Sequence, residues 1–203
     1  MATIEPKSES AADEPTTGRT VLPGAPPFTV DDLLEFPDDG NRYELFNGSL
    51  LVSPSPAPPH QRALYRLQRI LDDASPPELE PLSTVNVRLT DKDFVIPDLV
   101  VVPEEASETV GLMFSPADLL LAVEVGSPST IMVDEGTKAI LYAKAGVPSY
   151  WRIELANEPT LYVHELNGDT YDPPVAYKAG DVAHLTTPFA VGFDPAELVR
   201  GRR

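Results

Sequence analysis

Apolar residues along this chain recur at two spacings, and the places where one spacing gives way to the other outline its elements. Residues 1 to about 27 show neither spacing: they mix Glu, Ser, Pro, Thr and Gly. Such a segment cannot bury enough surface to offset its ordering entropy, so it is expected to be a disordered tail. A single domain is expected over 28–203. Thr29 and Asp32 have the spacing of a capping box ahead of Leu33, Leu34 and Phe36, which predicts a short helix closed by Pro37. Tyr43 to Phe46, Asn47-Gly48 and Ser49 to Ser53 predict a hairpin, because Asn-Gly tolerates the positive φ angles of a two-residue turn. After a proline-rich stretch, Ala63, Leu64, Leu67, Ile70 and Leu71 share one helical face, predicting a helix over about 60–73 that packs on a sheet.

Period-two alternation then takes over. It predicts strands at 83–89 and 94–102, with a turn at Asp91-Lys92-Asp93, then a loop over 103–116. Leu119 to Val125 is apolar almost throughout, as a central strand covered on both faces should be, and its one charge is Glu124. A helix over about 133–145, carrying Ile140, Leu141 and Ala145, is stopped by Gly146 and Pro148. Strands are expected at 149–155, 160–166, 171–177 and 183–187, largely antiparallel, with turns at Asn167-Gly168-Asp169 and Ala179-Gly180-Asp181.

Composition narrows the classes. The 203 residues suit one hydrophobic core. Without cysteine there is neither a disulfide framework nor a thiolate metal site. No run is long and apolar enough to span a membrane, and the N-terminus lacks a signal-peptide pattern, so a cytoplasmic location is expected. The net charge of −17 opposes tight nonspecific binding to a phosphate backbone, although a local basic rim, self-association or a divalent cation would relieve that repulsion.

Two carboxylates stand inside apolar strand patterns, Asp98 after Pro97 and Glu124 near the end of its run. An embedded carboxylate is costly unless paired, hydrogen-bonded or metal-bound, so two on neighbouring strands suggest a shared cation. Lys138 follows Glu124 by fourteen positions, and a strand, turn and helix would return it over the strand end, with Asp134 and Tyr142 one turn away on its face. Glu44 on the first hairpin would add a further carboxylate. Plainer readings stay open: Asp98 as a capping group, Lys138 paired with Asp134, and Glu44 paired with Arg42. His60 would cap a helix or line a cleft, with no partner histidine nearby to suggest a metal, and Gln61 is a weaker candidate for touching substrate. Tyr142, Tyr150 and Trp151 read as core.

At these positions the chain resembles the widespread bacterial Uma-type family of restriction-endonuclease-like proteins, within the PD-(D/E)xK nuclease superfamily. The resemblance covers about residues 28 to 199. It rests on Arg42-Tyr43-Glu44-Leu45 with Gly48, Ser53-Pro54 with His60-Gln61, Pro97-Asp98-Leu99-Val100, and Val123-Glu124-Val125 with Ser127-Pro128-Ser129. Asp134, Lys138, Tyr142, Ala145-Gly146-Val147-Pro148 and Tyr150-Trp151 complete it.

The resemblance implies an α/β fold, a mixed sheet flanked by helices, in which Asp98 and Glu124 bind Mg²⁺ or Mn²⁺ and a water attacks a DNA phosphodiester. It further implies that Lys138 assists the nucleophile, that Glu44 plays an ancillary catalytic part, and that a homodimer cuts the two strands. One departure is notable: the position of the superfamily's lysine, two residues after the acidic one, is Gly126 here, and the resemblance implies that Lys138 takes that role from the helix. The rival expectation is a nuclease fold without turnover, acting as a binding or assembly module; the acidic charge and Gly126 favour it.

Overall fold

Asn47 and Gly48 take φ angles of 49° and 76°, the left-handed backbone that a tight turn between paired strands requires. They join β1 (Arg42–Phe46) to β2 (Ser49–Ser53) as an antiparallel hairpin with Glu44 opposite Leu51. The computed structural model describes residues 22–53, 55–126 and 133–200, with backbone alone at 133–135. Most of the expected tail, residues 1–21, and Pro54 and Ser127-Pro128-Ser129 of the motifs therefore lie outside the described residues, as does the Asp134 side chain.

Ahead of the hairpin, α1 (Val30–Leu33) starts with the Thr29–Asp32 capping box and ends well before Pro37. After it, α2 (Pro58–Ala74) begins with two prolines, whose missing N–H groups cost nothing in a first turn. Its buried stripe is Ala63, Leu67 and Leu71.

The next segment departs from the periodicity. A strand forms earlier than expected, as β3 (Leu79–Ser83), and Thr84 at φ 58° ends it, leaving only β4 (Val87–Arg88) of the alternating run. Pro81 masks β3 in the sequence, yet β3 lies at the sheet edge, where a missing N–H is harmless. The single strand expected over 94–102 is two, β5 (Phe94–Val95) and β6 (Leu99–Pro103), parted at Ile96-Pro97-Asp98. The expected loop after β6 holds α3 (Glu104–Thr109), whose first-turn glutamates suit the positive end of a helix.

The central strand is β7 (Leu121–Gly126), running regularly through Gly126. The chain then forms a π-helical turn (Val133–Lys138) that passes into α4 (Ala139–Lys144). The helix expected here is present, but its first part is π-wound, and Gly136 within it is a poor α-helix former. Ile140 is exposed, and Tyr142 and Ala143 supply the buried face instead.

Five further strands follow: β8 (Ser149–Glu154), β9 (Thr160–Asn167), β10 (Thr170–Tyr171), β11 (Val175–Lys178) and β12 (Ala183–Leu185). Pro173 and Pro174 divide what periodicity reads as one strand into β10 and β11. The unexpected β13 (Val191–Phe193) pairs with β12.

The main sheet has the order β10-β9-β8-β7-β6-β3, with β11 also on β9; β7 and β8 are parallel and the other pairs antiparallel. A second sheet, β2-β1-β5-β4, stands beside it. This is a mixed α/β architecture, a mixed sheet flanked by helices. Alternation sorts the side chains: Leu99, Val101, Leu121, Val123, Trp151 and Ile153 bury one face under α2, while Val100, Val102, Ala122 and Tyr150 bury the other with Tyr142. Glu124, two residues beyond Ala122, points to the α4 side. Among the described residues no helix is long and apolar enough to cross a membrane.

Candidate active site

Four charged side chains that the sequence singles out are buried here, between 3% and 5% exposed: Glu44, Asp98, Glu124 and Lys138. Each comes from a different element. Glu44 lies in β1, Asp98 immediately precedes β6, Glu124 lies in β7, and Lys138 ends the π-helical turn. Leu99 pairs with Val123 across β6 and β7, so that register places Asp98 beside the Glu124 end of the neighbouring strand.

Lys138 binds two of the carboxylates. Its Nζ is 2.9 Å from Glu124 Oε1 and 3.1 Å from Glu44 Oε1. Tyr142, one turn further along on α4, donates its hydroxyl to the same Glu124 oxygen at 3.0 Å. Burial, joined by the negative charge of Glu124 and Glu44, holds the Tyr142 phenol well above its ordinary range, so Tyr142 is a fixed neutral donor.

Asp98 has its own partners. Its Oδ2 accepts from the Val125 amide at 2.9 Å and lies 3.0 Å from His60 Nε2. Burial pushes this carboxyl up, but the His60 contact, the Val125 amide and the charge of Lys138 together outweigh it and leave Asp98 below the ordinary carboxylate value. Asp98 Oδ1 faces Arg42 Nη1 at 3.7 Å, beyond hydrogen-bond reach.

One strand ties these two groups together. Arg42 Nη2 donates to the Ile96 carbonyl at 2.7 Å, and Glu44 Oε1 accepts from the Ile96 amide at 2.9 Å. Alternate side chains of β1 thus grip both backbone groups of Ile96, where the break between β5 and β6 leaves them without strand partners. Glu44 pairs with Lys138 and Ile96, not with Arg42.

His60, Arg42 and Tyr142 stand in the motifs of the resemblance, but the sequence assigns none of them a catalytic or metal role: His60 reads as a helix cap or cleft lining, and Tyr142 as core. His60 offered one signal, a histidine in the first turn of a helix whose core stripe, Ala63 and Leu67, follows at helical spacing. Arg42 offered one as well, a cation two residues from a candidate carboxylate. Their contacts with Asp98 and Ile96 span 38 and 54 residues, which no local pattern reveals.

A divalent cation is what the resemblance implies, and the donor set fits one. Carboxylate oxygens are the hard ligands that Mg²⁺ takes, and Asp98 Oδ1 accepts no hydrogen bond among the described residues. Among those residues no group of three or more His, Cys, Asp or Glu is placed to hold a metal ion. Mg²⁺ is ordinarily held by one or two carboxylates, with waters and phosphate oxygens completing its shell. In the described network three carboxylates, Glu44, Asp98 and Glu124, stand with the cations Arg42 and Lys138. A divalent ion would add positive charge among these carboxylates, which favours a phosphodiester anion.

Comparison with known proteins agrees with this fold. The family model described as "Putative restriction endonuclease", Uma2, matches residues 30–198. Among solved structures the chain is similar to a "putative nuclease belonging to DUF820" from Anabaena variabilis ATCC 29413. The TM-score is 0.72 at 16% identity, over 85% of this chain and 97% of that one. At that identity the likeness is one of fold. No curated protein matches the sequence.

Proposed function

The chain belongs to the Uma2 family described as "Putative restriction endonuclease", and from that premise we propose that it is a divalent-metal-dependent endonuclease hydrolysing DNA phosphodiester bonds. The observation that carries this reading is the meeting of Lys138 with Glu44 and Glu124 beside Asp98, at the end of two adjacent central strands. Asp98 and Glu124 would hold Mg²⁺ or Mn²⁺. When bound, such an ion supplies Lewis-acid neutralisation of the phosphate and a lowered pKa for water.

The remaining work belongs to this chain's side chains. Hydrolysis joins a water oxygen to phosphorus and releases a sugar oxygen, and negative charge builds on the phosphoryl oxygens between those events. Lys138, held by two carboxylates, offers a preorganised positive charge to that build-up. Tyr142 and Lys138 fix Glu124 from one side. Glu44 fixes Lys138 and the Ile96 backbone that leads into Asp98. Arg42, with about a quarter of its side chain exposed and one nitrogen anchored on Ile96, is placed to take a phosphate oxygen. Two copies would act together, since a duplex has two strands to cut.

A second reading has an observation of its own. The four charged groups are almost wholly covered, which suits a fold that binds a partner without turnover. Plasmid nicking with Mg²⁺ or Mn²⁺ tests the two, comparing wild type with Asp98→Ala and Lys138→Ala. Nicking by the wild type alone supports the enzyme; equal nicking by all three removes the site; no nicking, with DNA binding intact, favours the silent module. Sedimentation at the assay concentration tests the dimer.

A further inference from the structure

The two oxygens of Asp98 are treated differently. Oδ2 takes two donors, the Val125 amide and His60 Nε2, at 2.9 and 3.0 Å. Oδ1 takes none among the described residues; the nearest cation, Arg42 Nη1, stands 3.7 Å away. Since an ionised carboxylate only accepts, the contact at Oδ2 requires a hydrogen on His60 Nε2.

His60 is well held for this task. It occupies the third position of α2, after two prolines that fix the backbone of the first turn, and it lies on the same stripe as Ala63, Leu67 and Leu71. Packing of that stripe under the main sheet sets where the imidazole stands. Its other nitrogen, Nδ1, is buried with no hydrogen-bond partner, so no second contact turns the ring away from Asp98.

The geometry points to His60 as a positioning residue: with the Val125 amide it engages Oδ2 and so leaves Oδ1 as the one Asp98 oxygen offered to the cation. This rests on the cation site proposed above and adds which oxygen is used and what selects it. The terminal torsion of an aspartate is broad and nearly two-fold, so without His60 the carboxylate has only the Val125 amide to define its rotation. Groups that orient a metal ligand in this way typically alter affinity by about 10- to 100-fold when removed.

The test is Mn²⁺ binding to the full chain, followed by electron paramagnetic resonance of the free ion, which reads the site without reference to cleavage. Wild type, Asp98→Asn, His60→Ala and His60→Gln are compared. Gln is chosen because its amide carries an N–H donor at similar reach. His60→Ala is expected to bind roughly 10- to 100-fold more weakly than wild type, and His60→Gln within a few-fold of it. Should His60→Ala fail to fold, His60→Leu, which fills the volume without a donor, reads the same quantity.

Equal Mn²⁺ affinity in wild type and the donorless variants would overturn the inference while leaving the cation site standing. So would a His60→Gln variant as weak as His60→Ala at an unchanged melting temperature, since a donor alone would then not suffice. A wild type that binds no better than Asp98→Asn removes the cation site itself, and this inference with it.

Discussion

Lys138 Nζ and Glu124 Oε1 lie 2.9 Å apart with both side chains almost fully covered, and Glu44 Oε1 reaches the same nitrogen at 3.1 Å. The ammonium therefore compensates two carboxylates that its loss would leave facing one another out of water. Breaking a buried pair by removing one partner costs about 3–5 kcal/mol, because the charge left behind is uncompensated. Lys138→Met should lose stability on that scale in urea unfolding at pH 7. Adding Glu124→Gln should recover part of it, so that the double variant is destabilised by less than the sum of the singles. Strict additivity would show that the contact carries no coupling.

The depressed Asp98 carboxyl has a consequence in acid. Its native value lies below the ordinary 3.8 and its unfolded value near it, so the unfolded chain takes up that proton first as pH falls. The stabilisation is complete above the unfolded value and drains away as pH drops through the native one. Asp98→Asn, which cannot ionise, should therefore lie furthest below wild type in stability near neutrality and approach it below about pH 4. Unfolding midpoints from pH 7 to 2.5 check this; a wild-type-to-variant gap that stays constant with pH would contradict it.

His164 titrates in the same sense for a different reason. Burial, assisted by the positive charge of Arg152, lowers its pKa from 6.5 to about 4. Its ring sits among those of Tyr150 and Tyr171, with centroids 5.3 and 5.8 Å away. Between pH 6.5 and 4 the unfolded chain binds a proton there that the native one refuses, so the native state loses ground across that window as pH falls. His164→Phe should flatten this stretch of the stability profile, and the wild-type imidazole resonances should shift with a midpoint near 4. A midpoint near 6.5 would show that the ring is not protected.

The elements the sequence displays most openly are those set by local chemistry. Asn47-Gly48 declares its hairpin through backbone permissiveness, Gly146 stops α4 with a positive φ of 83°, and the apolar run around Ala122 identifies the central strand. Glu124 stands out because it is the one charge in that run. Concealed are the features that depend on position within the sheet. Pro81 is acceptable only because β3 is an edge, and Thr84 and Pro97 interrupt alternations that would otherwise read as single strands. The π winding before Lys138 has no periodicity of its own to announce it. Asp98 and Glu44 are conspicuous as charges, but their partners, His60 and Ile96, are selected by tertiary placement across 38 and 52 residues.

Arg42 yields a prediction that separates binding from turnover. Its guanidinium uses one nitrogen on the Ile96 carbonyl and holds another near Asp98, an arrangement a single ammonium cannot copy. If Arg42 takes a phosphate oxygen, Arg42→Lys should raise the KM for DNA by about tenfold, the equivalent of one charged hydrogen bond, with a smaller change in kcat. An unchanged KM with a reduced kcat would instead assign Arg42 to holding the Ile96–Asp98 segment.

Gly48 tests how firmly the hairpin seats Glu44. Its N–H donates to the Lys92 carbonyl at 2.9 Å, and its own carbonyl accepts from the Phe28 amide at 2.8 Å, which docks the turn between two other segments. A Cβ at this position would stand 2.7 Å from Pro27 Cβ and 3.0 Å from the Phe28 carbonyl, at a φ of +76°. The left-handed backbone alone costs a non-glycine residue about 1–2 kcal/mol, and the contact with Pro27 adds to it. Gly48→Ala should therefore lower the melting temperature by several degrees, the shift expected for roughly 2 kcal/mol in a domain of this size. Asn47→Gly, at a neighbouring φ of 49° that glycine adopts freely, should change it far less. Equal melting of Gly48→Ala and wild type would mean that the 22–29 segment yields to the turn, and that Glu44 is positioned by Lys138 and Ile96 rather than by the hairpin tip.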